Sequence, residues 1–521
     1  ADKLSLYADN LSRNVSFETE NGKNVPIQNR AHVMLMHNPN VNVLNAGFYH
    51  LGRSDKTKLV DDVDKNIDGS KGNGTNPRGR YSLHLHRTGV DDIYGKASII
   101  RGNAVEGSPG WGIVQHDSHA GLEDNVVFDV AGAGIASEAG NEIGWWTNNM
   151  TIKITGIPTV EFNRQTYIRD RLYDFGAQGT GFWVQGAAQV RSSGNKAISS
   201  NAAGLDLFGG ALNRTYLRDA TILQISKLPA DLQKLFPPDQ KEVDIRDVPM
   251  ATVEGFESYN ANTGIRVWGH STDIDGELDF NTSDPVTAHK GRSVIKDFKV
   301  WGNRLRGAAV QYSSNIDFKD GLVLGNDSGK LKAFGAGLLN NQASYGTVFD
   351  NLTVAGFEVG ADIADPNTDK EFIASTISNS RFSNNTYNLS EVGIRTAQGG
   401  LNDFAAFAKL KNNKFAAAGG NQAPTAKFSV KALGGLAWKL DASAAFDRDP
   451  LRGGNPNLAK LESKGIASYG WDVDNNGSID RYGRNITHIF NGSGNKTVGL
   501  TVWDSQGQTT TSKQTLNVKP A

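Results

Sequence analysis

The segment RYSLHLHR, residues 80–87, places His84 and His86 on one predicted β-strand, in a chain that has only ten histidines. Side chains two residues apart in a strand point to the same face. If Leu83 and Leu85 fill the core, both imidazoles therefore face outward. Imidazoles transfer protons near neutral pH and bind metal ions, so this strand is the first candidate for chemistry.

Further polar side chains follow at intervals of about one coil of a solenoid, so that they would stack on one another. His116 comes 30 residues after His86, and Glu138 comes 22 residues after His116. In a solenoid, residues one coil apart become neighbours on the same face, about 5 Å apart. We therefore expect His86, His116 and Glu138 to line up across three coils. The candidate catalytic residues are His84, His86, His116, Glu138, Asp117 and Tyr81.

Three kinds of chemistry fit this set of residues. A histidine and a carboxylate can act as general base and acid in the hydrolysis of a glycosidic bond. In β-elimination from a uronate polymer, a histidine or Tyr81 would take the C5 proton while arginine neutralises the carboxylate. Alternatively, His84, His86 and His116 could hold a metal ion, since a His-x-His strand with a third histidine is a familiar ligand set. A purely structural role, as polar groups satisfied beneath a loop, stays open as well.

Basic and aromatic residues around these strands are candidates for binding a sugar polymer. Arginines can hold carboxylates, and tryptophan rings can pack against sugars, although tryptophan in a coiled β-fold often packs in turns instead. Trp145 and Trp146 are adjacent, so they point to opposite faces and one of them must leave the core. The predicted substrate-binding residues are Arg80, Arg87, His119, Asp91, Trp111, Trp145, Trp146, Trp183, Arg266 and Trp268.

The elements that must position these groups recur along the chain. Gly112-Ile113 is followed 22 residues later by Gly134-Ile135, and Gly181-Phe182 is followed 23 residues later by Gly204-Leu205. Asparagine recurs at the turns, in the phrases RGNAV, EDNVV, TNNMTI and SGNKAI. A period of about 20–25 residues with short strands predicts a solenoid, here a right-handed parallel β-helix with a groove along one outward face. The asparagines are expected to stack in ladders that satisfy backbone groups at the turns.

Composition shifts predict the domain boundaries. The β-helix is expected to cover residues 1–415, with a loop insertion at about 219–250, where leucine spacing and a Pro-Pro stop predict a short helix from Pro229 to Leu235. Small residues at 416–423 predict a linker. From 424 to 521 the strands lengthen and alternate between apolar and polar residues, which indicates an antiparallel β-sandwich. The predicted fold class is therefore all-β.

Two acidic stretches are calcium candidates. The sequence DVDNNGSID places Asp472, Asp474, Asn476 and Asp480 at the spacing that begins an EF-hand-like loop, although Gly483 stands where the closing glutamate would be. An Asx-rich hairpin without an ion is the alternative. The stretch STDIDGELDF, residues 271–280, is a weaker candidate of the same kind.

Composition also excludes several classes of protein. The 54 basic and 55 acidic residues give a formal net charge of −1, which does not fit a nucleic-acid-binding protein. No apolar run of about 18 residues predicts a membrane-spanning helix. The absence of cysteine excludes disulfides, thiolate metal sites and cysteine nucleophiles. The chain begins without a basic and apolar signal peptide, as expected where a signal has been removed.

The last hundred residues resemble a polycystic-kidney-disease (PKD) domain. The phrases that carry the resemblance are LDASAAFDRDP, IASYGWDVDNNGSID, THIF and KTVGLTVWDSQGQTTTSKQTLNV. The resemblance implies an immunoglobulin-like sandwich. In bacterial secreted enzymes such domains usually serve as spacers or as accessories close to the carbohydrate.

The first four hundred residues resemble the β-helical part of cell-migration-inducing hyaluronidase, its transmembrane relatives and the fibrocystin-like proteins. The phrases are LSRNVSFE, RAHVMLMH, VNVLNAGFYHLGRSD, GRYSLHLHRTG and WGIVQHDSHAGLEDNVVFDVAGAGIASEAG, and weaker similarity continues through GTGFWVQG and NTGIRVWG. A glycine-rich domain precedes the β-helix in that family, and this sequence begins at what corresponds to its last strand. The family includes proteins that cut hyaluronan and others without an established activity, so the resemblance implies a glycan ligand more strongly than catalysis.

These observations predict a bacterial polysaccharide-degrading enzyme, either a lyase or a glycoside hydrolase, that is secreted, periplasmic or at the cell surface. The expected substrate is an acidic polymer that contains uronate or resembles a glycosaminoglycan, and the protein is expected to act as a monomer. No cofactor is required by the sequence, although calcium in the C-terminal domain and a metal ion at the three histidines are both possible in this scheme. A glycan-binding or adhesive surface protein without catalysis, and a purely structural surface protein, are the alternatives.

Overall fold

The computed structural model describes the chain except for residues 1–3, 39, 64–70, 89–95, 172–173, 187–188, 210–221, 271–290, 312, 326–332, 342–343, 345, 364–373, 391–407, 418, 450–464 and 521. The chain divides into two compact units: the described residues up to Lys299 form the first, and those from Val300 onward form the second. Asp91 and the acidic stretch 271–280 lie outside the described residues. None of the described helices is long and apolar enough to cross a membrane.

Short strands make up most of the first unit. In chain order they are β1 (Val15–Glu18), β2 (Val33–Met36), β3 (Asn42–Leu44), β4 (Ala46–Tyr49), β5 (Leu83–His86), β6 (Ser98–Arg101), β7 (Ala104–Glu106), β8 (Ile113–His116), β9 (His119–Glu123), β10 (Val126–Ala131), β11 (Ala133–Ser137), β12 (Ile143–Thr147), β13 (Met150–Thr155), β14 (Thr180–Gln185), β15 (Val190–Ser193), β16 (Lys196–Ser200), β17 (Ala203–Phe208), β18 (Ile222–Gln224), β19 (Glu242–Asp244), β20 (Val253–Glu254), β21 (Glu257–Tyr259), β22 (Thr263–Trp268) and β23 (Ser293–Lys296). The helices are α1 (Thr159–Arg171) and α2 (Ala230–Gln233), with 3-10 turns at Ile27–Asn29, Ile225–Lys227 and Ile245–Asp247.

Every third strand of the first unit joins the same parallel sheet. Sheet A has the order β1-β4-β7-β10-β13-β16-β21, sheet B has the order β2-β5-β8-β11-β14-β17-β22, and sheet C has the order β3-β6-β9-β12-β15-β20-β23. The repeats seen in the sequence are adjacent coils, because Ile113 pairs with Ile135 and Phe182 pairs with Leu205. The predicted parallel β-helix is therefore confirmed.

A ladder of buried asparagines fixes the turn that leads into sheet A. Asn103, Asn125, Asn149 and Asn195 are all buried. The side-chain oxygen of each of the last three accepts a hydrogen bond from the backbone N–H of the preceding asparagine, at 3.0, 3.1 and 2.9 Å. Each side-chain amide also donates to a backbone carbonyl of the preceding coil, as Asn125 Nδ2 does to Ile100 O at 2.8 Å. The turn groups that a strand ladder cannot reach are thus satisfied by side chains, as the sequence pattern predicts.

The insertion between β17 and β20 packs on itself. Strands β18 and β19 pair antiparallel, and α2 lies where the Pro229–Leu235 helix was predicted. Leu223, Ile225, Leu228 and Val243 are buried within this insertion together with neighbouring apolar residues. Helix α1, in contrast, has no counterpart among the sequence predictions.

The second unit continues with short parallel coils and ends in longer antiparallel strands. The strands are β24 (Lys299–Asn303), β25 (Arg306–Gln311), β26 (Ile316–Lys319), β27 (Leu322–Gly325), β28 (Ala333–Asn341), β29 (Val348–Asp350), β30 (Thr353–Ala355), β31 (Phe357–Ile363), β32 (Thr376–Ser378), β33 (Arg381–Ser383), β34 (Tyr387–Leu389), β35 (Lys409–Lys411), β36 (Lys414–Phe415), β37 (Ser429–Gly434), β38 (Ala437–Asp441), β39 (Ile466–Asp472), β40 (Arg481–Tyr482), β41 (Asn485–Ile489), β42 (Gly494–Asp504) and β43 (Thr509–Val518). The coils stack as β24-β27-β30-β33-β36, β25-β28-β31-β34 and β26-β29-β32-β35, and the sandwich consists of β37-β38-β41 and β40-β39-β42-β43. Trp471, Leu440 and Leu500 are fully buried in the sandwich core.

The asparagine ladder leads to a stability prediction. Asn125→Ala removes the acceptor for the Asn103 N–H and the donor to Ile100 O, and it leaves both groups buried. A buried backbone group without a partner costs about 2 kcal/mol, so we expect a loss of that order in the free energy of unfolding, measured by urea denaturation. The exposed Asn29 is the matched control, since Asn29→Ala should change stability by less than about 0.5 kcal/mol. Equal losses in the two variants would contradict a stabilising role for the ladder.

Candidate functional site

The register of sheet B brings the predicted histidines together. His86 on β5 pairs directly with His116 on β8. The Glu138 N–H, just beyond β11, donates to Gln115 O. The parallel pairing of β8 with β11 therefore extends by one residue, and Glu138 lies beside His116. Leu83 is fully buried on the inward side of the strand, and the imidazoles therefore lie on the outward side of sheet B. We refer to His84, His86, His116 and Glu138 as the histidine cluster.

The polar atoms of the histidine cluster converge. His116 Nδ1 lies 3.1 Å from Glu138 Oε2 and 3.2 Å from His86 Nδ1. His84 Nε2 lies 3.7 Å from Glu138 Oε2. The His84 and His116 rings are stacked, with 5.5 Å between their centroids and 8° between their planes. One ligand atom from each of the three histidines lies within 4.8 Å of the others, which marks them as a group able to hold a metal ion.

His84 is the buried member of the cluster, with 1% of its surface exposed. Its Nδ1 lies 2.8 Å from Gly79 O. Because a carbonyl oxygen only accepts, Nδ1 carries the hydrogen and Nε2 keeps its lone pair. Among the described residues, His84 Nε2 has no hydrogen-bond partner. Burial lowers the pKa of His84 to about 4, so the ring is neutral near neutral pH.

His116 and Glu138 form a partly buried ion pair. Burial alone would lower the pKa of His116, but the adjacent Glu138 charge and its hydrogen bond outweigh burial and raise that pKa to about 9. The same contact holds the pKa of Glu138 well below its ordinary value, against the opposing effect of burial. At neutral pH the cluster without a metal ion therefore contains one imidazolium and one carboxylate.

The cluster opens toward the C-terminal ends of β5 and β8. His86 is only partly buried, and burial, followed by the nearby His116, lowers its pKa. Arg87 follows directly, is 58% exposed and pairs with Asp117 at 3.3 Å. Asp117 also accepts a hydrogen bond from Asn141 Nδ2. A solute can therefore reach the cluster from this end.

Arg80 adds positive charge near the other side of β5. It is partly buried, and its Nη1 lies 3.4 Å from Arg78 O. After burial, the charges of Arg53 and Arg80 are what lower the pKa of His32, which shows that these cations share one region.

Glu142 is a positioning residue that the sequence interpretation missed. Its buried carboxylate accepts hydrogen bonds from four backbone N–H groups, those of Asp117, Glu138, Ala139 and Gly140. This carboxylate therefore fixes the turn that carries Glu138 and ties it to the turn after β8. The only signal in the sequence is an acidic residue in the turn phrase AGNE, which many surface turns share.

A layer of side chains covers the outward face of sheet B next to the cluster. Lys56 Nζ donates to Asp174 Oδ1 at 2.9 Å and to Phe175 O at 2.8 Å, and it lies 4.0 Å from the ring centroid of Trp111. The indole N–H of Trp111 donates to Gly176 O at 2.9 Å. Asp174 also pairs with Arg169, which is fully buried. Two segments that are more than 100 residues apart in sequence therefore cover this part of the outward face of sheet B.

The covering layer overturns several predicted roles. Trp111 and Trp183 are buried in an apolar cluster with Phe175 and Phe208, so the prediction that they form open sugar platforms is wrong. Tyr81 is also buried, stacks on Trp111 with 4.8 Å between ring centroids, and has a pKa raised well above its ordinary value by burial. Its predicted role as a base that reaches the polymer is therefore wrong as well. Apolar side chains on an outward face need cover, and residues 54–56 and 174–176 supply it.

Other predicted binding residues lie away from the cluster. Trp146 is fully buried and donates to Gln115 Oε1 at 2.9 Å, so it is a core residue, and the prediction that it binds substrate is wrong. Trp145 is the member of the pair that leaves the core, and it donates to Glu123 Oε1 at 2.7 Å. His119 is buried on sheet C with Trp145, on a different wall of the β-helix from the cluster.

Arg266 and Trp268 lie on sheet B, on strand β22. Arg266 Nε donates to both carboxylate oxygens of the buried Asp206, at 3.0 and 3.1 Å, and its Nη2 donates to Gln178 Oε1 at 3.0 Å. Its guanidinium lies 5.3 Å from the ring centroid of Trp268. The structure therefore engages Arg266 within the protein, and its predicted contact with substrate stays a prediction.

The predicted calcium loop joins β39 to β40. Asp472, Asp474 and Asp480 offer oxygen atoms close enough together to hold an ion. Backbone N–H groups already bond these carboxylates: Gly477 N to Asp472 Oδ2 at 2.9 Å and Val473 N to Asp480 Oδ2 at 2.8 Å. Asn476 turns its amide nitrogen to Asp474 Oδ2 at 2.9 Å. Calcium binding at these four residues stays a prediction.

The His116–Glu138 pair makes stability depend on pH. A histidine whose pKa is raised on folding contributes stability that is complete below its ordinary value of 6.5 and is lost as the pH rises through about 9. We therefore expect the wild-type protein to lose up to about 3 kcal/mol of stability relative to His116→Asn between pH 6.5 and 9.5. Urea denaturation in EDTA, which keeps metal ions from the imidazoles, measures this difference.

The control for this measurement is His488→Asn, a change in β41 of the C-terminal sandwich. The pKa of His488 is lowered by burial, so this ring does not titrate above pH 7. The His488→Asn profile should therefore run parallel to that of the wild type over this range. A difference between wild type and His116→Asn that stays constant from pH 6.5 to 9.5 would show that His116 is not charged in the folded protein.

Comparisons with known proteins identify the C-terminal sandwich. A sequence model described as a PKD domain matches residues 456–519, which confirms the predicted PKD domain. The PKD1 domains of Vibrio anguillarum Epp and of the Vibrio cholerae metalloprotease PrtV are 29% and 28% identical to this chain. Each match covers 19% of this chain and 99% of the solved domain, with a TM-score of 0.15.

The β-helix has a weaker counterpart. The catalytic domain of a GH87 α-1,3-glucanase, solved with tetrasaccharides, is 8% identical, with a TM-score of 0.29 over 73% of this chain and 56% of that one. Similarity at this level says nothing about activity. No curated protein sequence matches the chain, and the predicted relationship to cell-migration-inducing hyaluronidase and the fibrocystin-like proteins stays a prediction. What the comparisons establish is that the chain ends in a PKD domain.

Proposed function

We propose that this protein cleaves an acidic polysaccharide at the histidine cluster, outside the bacterial cell or at its surface. The observation that carries the proposal is the convergence of three imidazoles and one carboxylate at an accessible end of sheet B. A buried imidazole whose Nε2 has no hydrogen-bond partner among the described residues costs stability, and perturbed titratable groups that converge are typical of active sites. The PKD domain at residues 456–519 supports the location.

The proposal of an anionic substrate rests on the cations at the cluster, which are also paired with carboxylates of the protein. His116 is cationic next to Glu138, and Arg87 is exposed at the open end. Arg80 contributes a second guanidinium on the opposite side of β5. Guanidinium groups bind carboxylates through paired, charge-assisted hydrogen bonds. A uronate bound at the open end would place its carboxylate against His116 and Arg87, whereas Arg80, which precedes β5, would contact a different unit of the polymer.

The chemistry of the cluster favours β-elimination over hydrolysis. Hydrolysis by two carboxyl groups needs one of them protonated, with a raised pKa, and accessible to the glycosidic oxygen. The pKa of Glu138 is lowered, and Glu142, whose pKa is raised by burial, is occupied by four backbone N–H groups. Elimination needs a neutral base and a cation next to the uronate carboxylate. His86 has a lowered pKa and is partly accessible, and His116 with the arginines supplies positive charge.

The proposed elimination begins at C5 of the uronate. His86 takes the C5 proton of the uronate, and the carboxylate, neutralised by the cations, delocalises the resulting negative charge. The electron pair then forms the C4–C5 double bond as the C4–O4 bond breaks. The departing O4 takes a proton from His116 or from water, and the new chain end carries a 4,5-unsaturated uronate.

The unsaturated uronate provides the test, because it absorbs near 235 nm. Purified full-length protein would be incubated with a panel of uronate polymers and glycosaminoglycans, and with neutral glycans as a comparison. We expect absorbance to rise with at least one acidic polymer and with none of the neutral ones. His86→Asn and His116→Asn should lower the rate by about 100-fold or more, since general acid–base groups contribute on that scale, whereas His488→Asn should retain it.

Each outcome separates the candidate functions. Shortened polymer without absorbance at 235 nm would show hydrolysis and contradict the elimination step. Acidic glycan that binds the protein but is never shortened would contradict an enzyme and leave a glycan-binding surface protein. Absence of both binding and degradation across the panel would contradict the proposal as a whole.

A further inference from the structure

We propose that the histidine cluster binds one divalent transition-metal ion of the Zn²⁺ class, through His84, His86, His116 and Glu138. The ligand atoms are His84 Nε2, a ring nitrogen of His86, His116 Nδ1 and a carboxylate oxygen of Glu138. The binding site itself stands on geometry alone, whereas its catalytic consequence rests on the function proposed above.

The distances between the donor atoms suit a tetrahedral ion. Metal–ligand bonds of about 2.0 Å in a tetrahedral zinc site separate neighbouring ligand atoms by roughly 3.3 Å. In the cluster, His116 Nδ1 lies 3.1 Å from Glu138 Oε2 and 3.2 Å from His86 Nδ1. His84 Nε2 lies 3.7 Å from the same carboxylate oxygen. These three separations are close to the spacing of a coordination sphere, and one ligand atom from each of the three histidines lies within 4.8 Å of the others.

The cluster has more lone pairs than protons to satisfy them. The hydrogen of His84 is on Nδ1 and is directed to Gly79 O, so Nε2 presents a lone pair inside the cluster. This nitrogen is buried, and among the described residues it has no hydrogen-bond partner. The proton on His116 Nδ1 cannot serve Glu138 and His86 with good geometry at once. A cation at the centre would satisfy all of these lone pairs together.

The surroundings hold the donors in place, as metal sites require. The Gly79 carbonyl orients His84 through the ring nitrogen that faces away from the cluster, which is the arrangement seen behind metal-binding histidines. The Glu142 carboxylate, with its four backbone N–H partners, fixes the turn from Glu138 to Gly140. His86 and His116 are fixed relative to each other by strand pairing.

The donor types select the class of metal ion. Imidazole nitrogens favour zinc and its first-row neighbours, whereas calcium and magnesium prefer oxygen ligands. The acidic group in the PKD domain shows the contrast. There the carboxylates of Asp472 and Asp480 accept backbone hydrogen bonds, while the imidazoles of the histidine cluster present nitrogen lone pairs with few competing donors.

Binding an ion would change the charge of the site. Without the ion, His116 Nδ1 and Glu138 Oε2 pair with each other at 3.1 Å. A divalent ion would displace the His116 proton and leave a net charge of +1 next to Glu138. If the protein acts on a uronate polymer, an ion with all four protein ligands in place would supply positive charge near the substrate carboxylate without coordinating it, because a tetrahedral site with four protein ligands has no open position.

The test is metal binding by the full-length protein. Protein treated with EDTA and dialysed would be titrated with Zn²⁺ by calorimetry, and the bound metal would be counted by elemental analysis after removal of free ions. We expect one Zn²⁺ per chain with a dissociation constant on the order of 10⁻⁷ M or tighter. Co²⁺ in place of Zn²⁺ should give the visible absorption bands of a tetrahedral site.

Variants locate the ion. His84→Asn and His116→Asn should weaken binding by about 100-fold, and Glu138→Gln, which keeps the shape and removes the charge, should weaken it by at least about 10-fold. His488→Asn should bind as the wild type does. Zn²⁺ should raise the melting temperature of the wild type by more than that of Glu138→Gln at the same metal concentration, which gives a second readout should a histidine variant fold poorly.

Several outcomes would overturn the metal site. These are less than one tenth of an ion per chain at saturating Zn²⁺, or equal binding by wild type and Glu138→Gln, which would indicate adventitious binding elsewhere. Stoichiometric Zn²⁺ with no degradation of any glycan would support the site and contradict the proposed function. Degradation by a protein that binds no ion would do the reverse.

Discussion

The candidate site depends on the stacking of one coil on the next through parallel backbone hydrogen bonds. This stacking sets neighbouring coils about 4.8 Å apart, so His86 and His116, which are 30 residues apart in sequence, have rings that touch. The buried asparagines keep the stacking in register at the turn into sheet A. A slip of one residue would turn the imidazoles into the core and the leucines outward, and it would dissolve the histidine cluster.

Much of this arrangement could be predicted from the sequence because it follows from two short periods. Alternation along a strand places His84 and His86 on one face opposite Leu83 and Leu85, and the coil period brings Glu138 next to His116. The same reasoning gives the fold class, because the Gly-hydrophobic repeats are the paired residues of adjacent coils. Strand alternation also predicted that one of Trp145 and Trp146 leaves the core, but it could not identify Trp145 as that residue.

The sequence could not predict contacts between residues that follow neither the strand alternation nor the coil repeat. Tyr81 and Trp111 each stand two residues before an inward residue, Leu83 or Ile113, so alternation alone would place them in the core. The structure instead packs them with Val114 and Trp183, beneath the contacts that Lys56 makes with Asp174 and Phe175. Glu142 positions the cluster by accepting hydrogen bonds from backbone N–H groups. Nearly every residue has such a group, so the sequence does not mark which ones Glu142 contacts. Helix α1 was missed for a related reason, since nothing in the repeat predicts an insertion that ends in the buried Arg169 and Asp174.

The link between Lys56 and Asp174 spans 118 residues of chain, and this separation has a consequence for how the protein is made. During synthesis the chain emerges from its amino end, so all four members of the histidine cluster leave the ribosome before Asp174 does. The strands that carry the cluster can pair while Trp111 and Tyr81 still lack their cover. For that interval the nascent protein exposes an aromatic surface beside the histidine cluster, until the later segment packs over it.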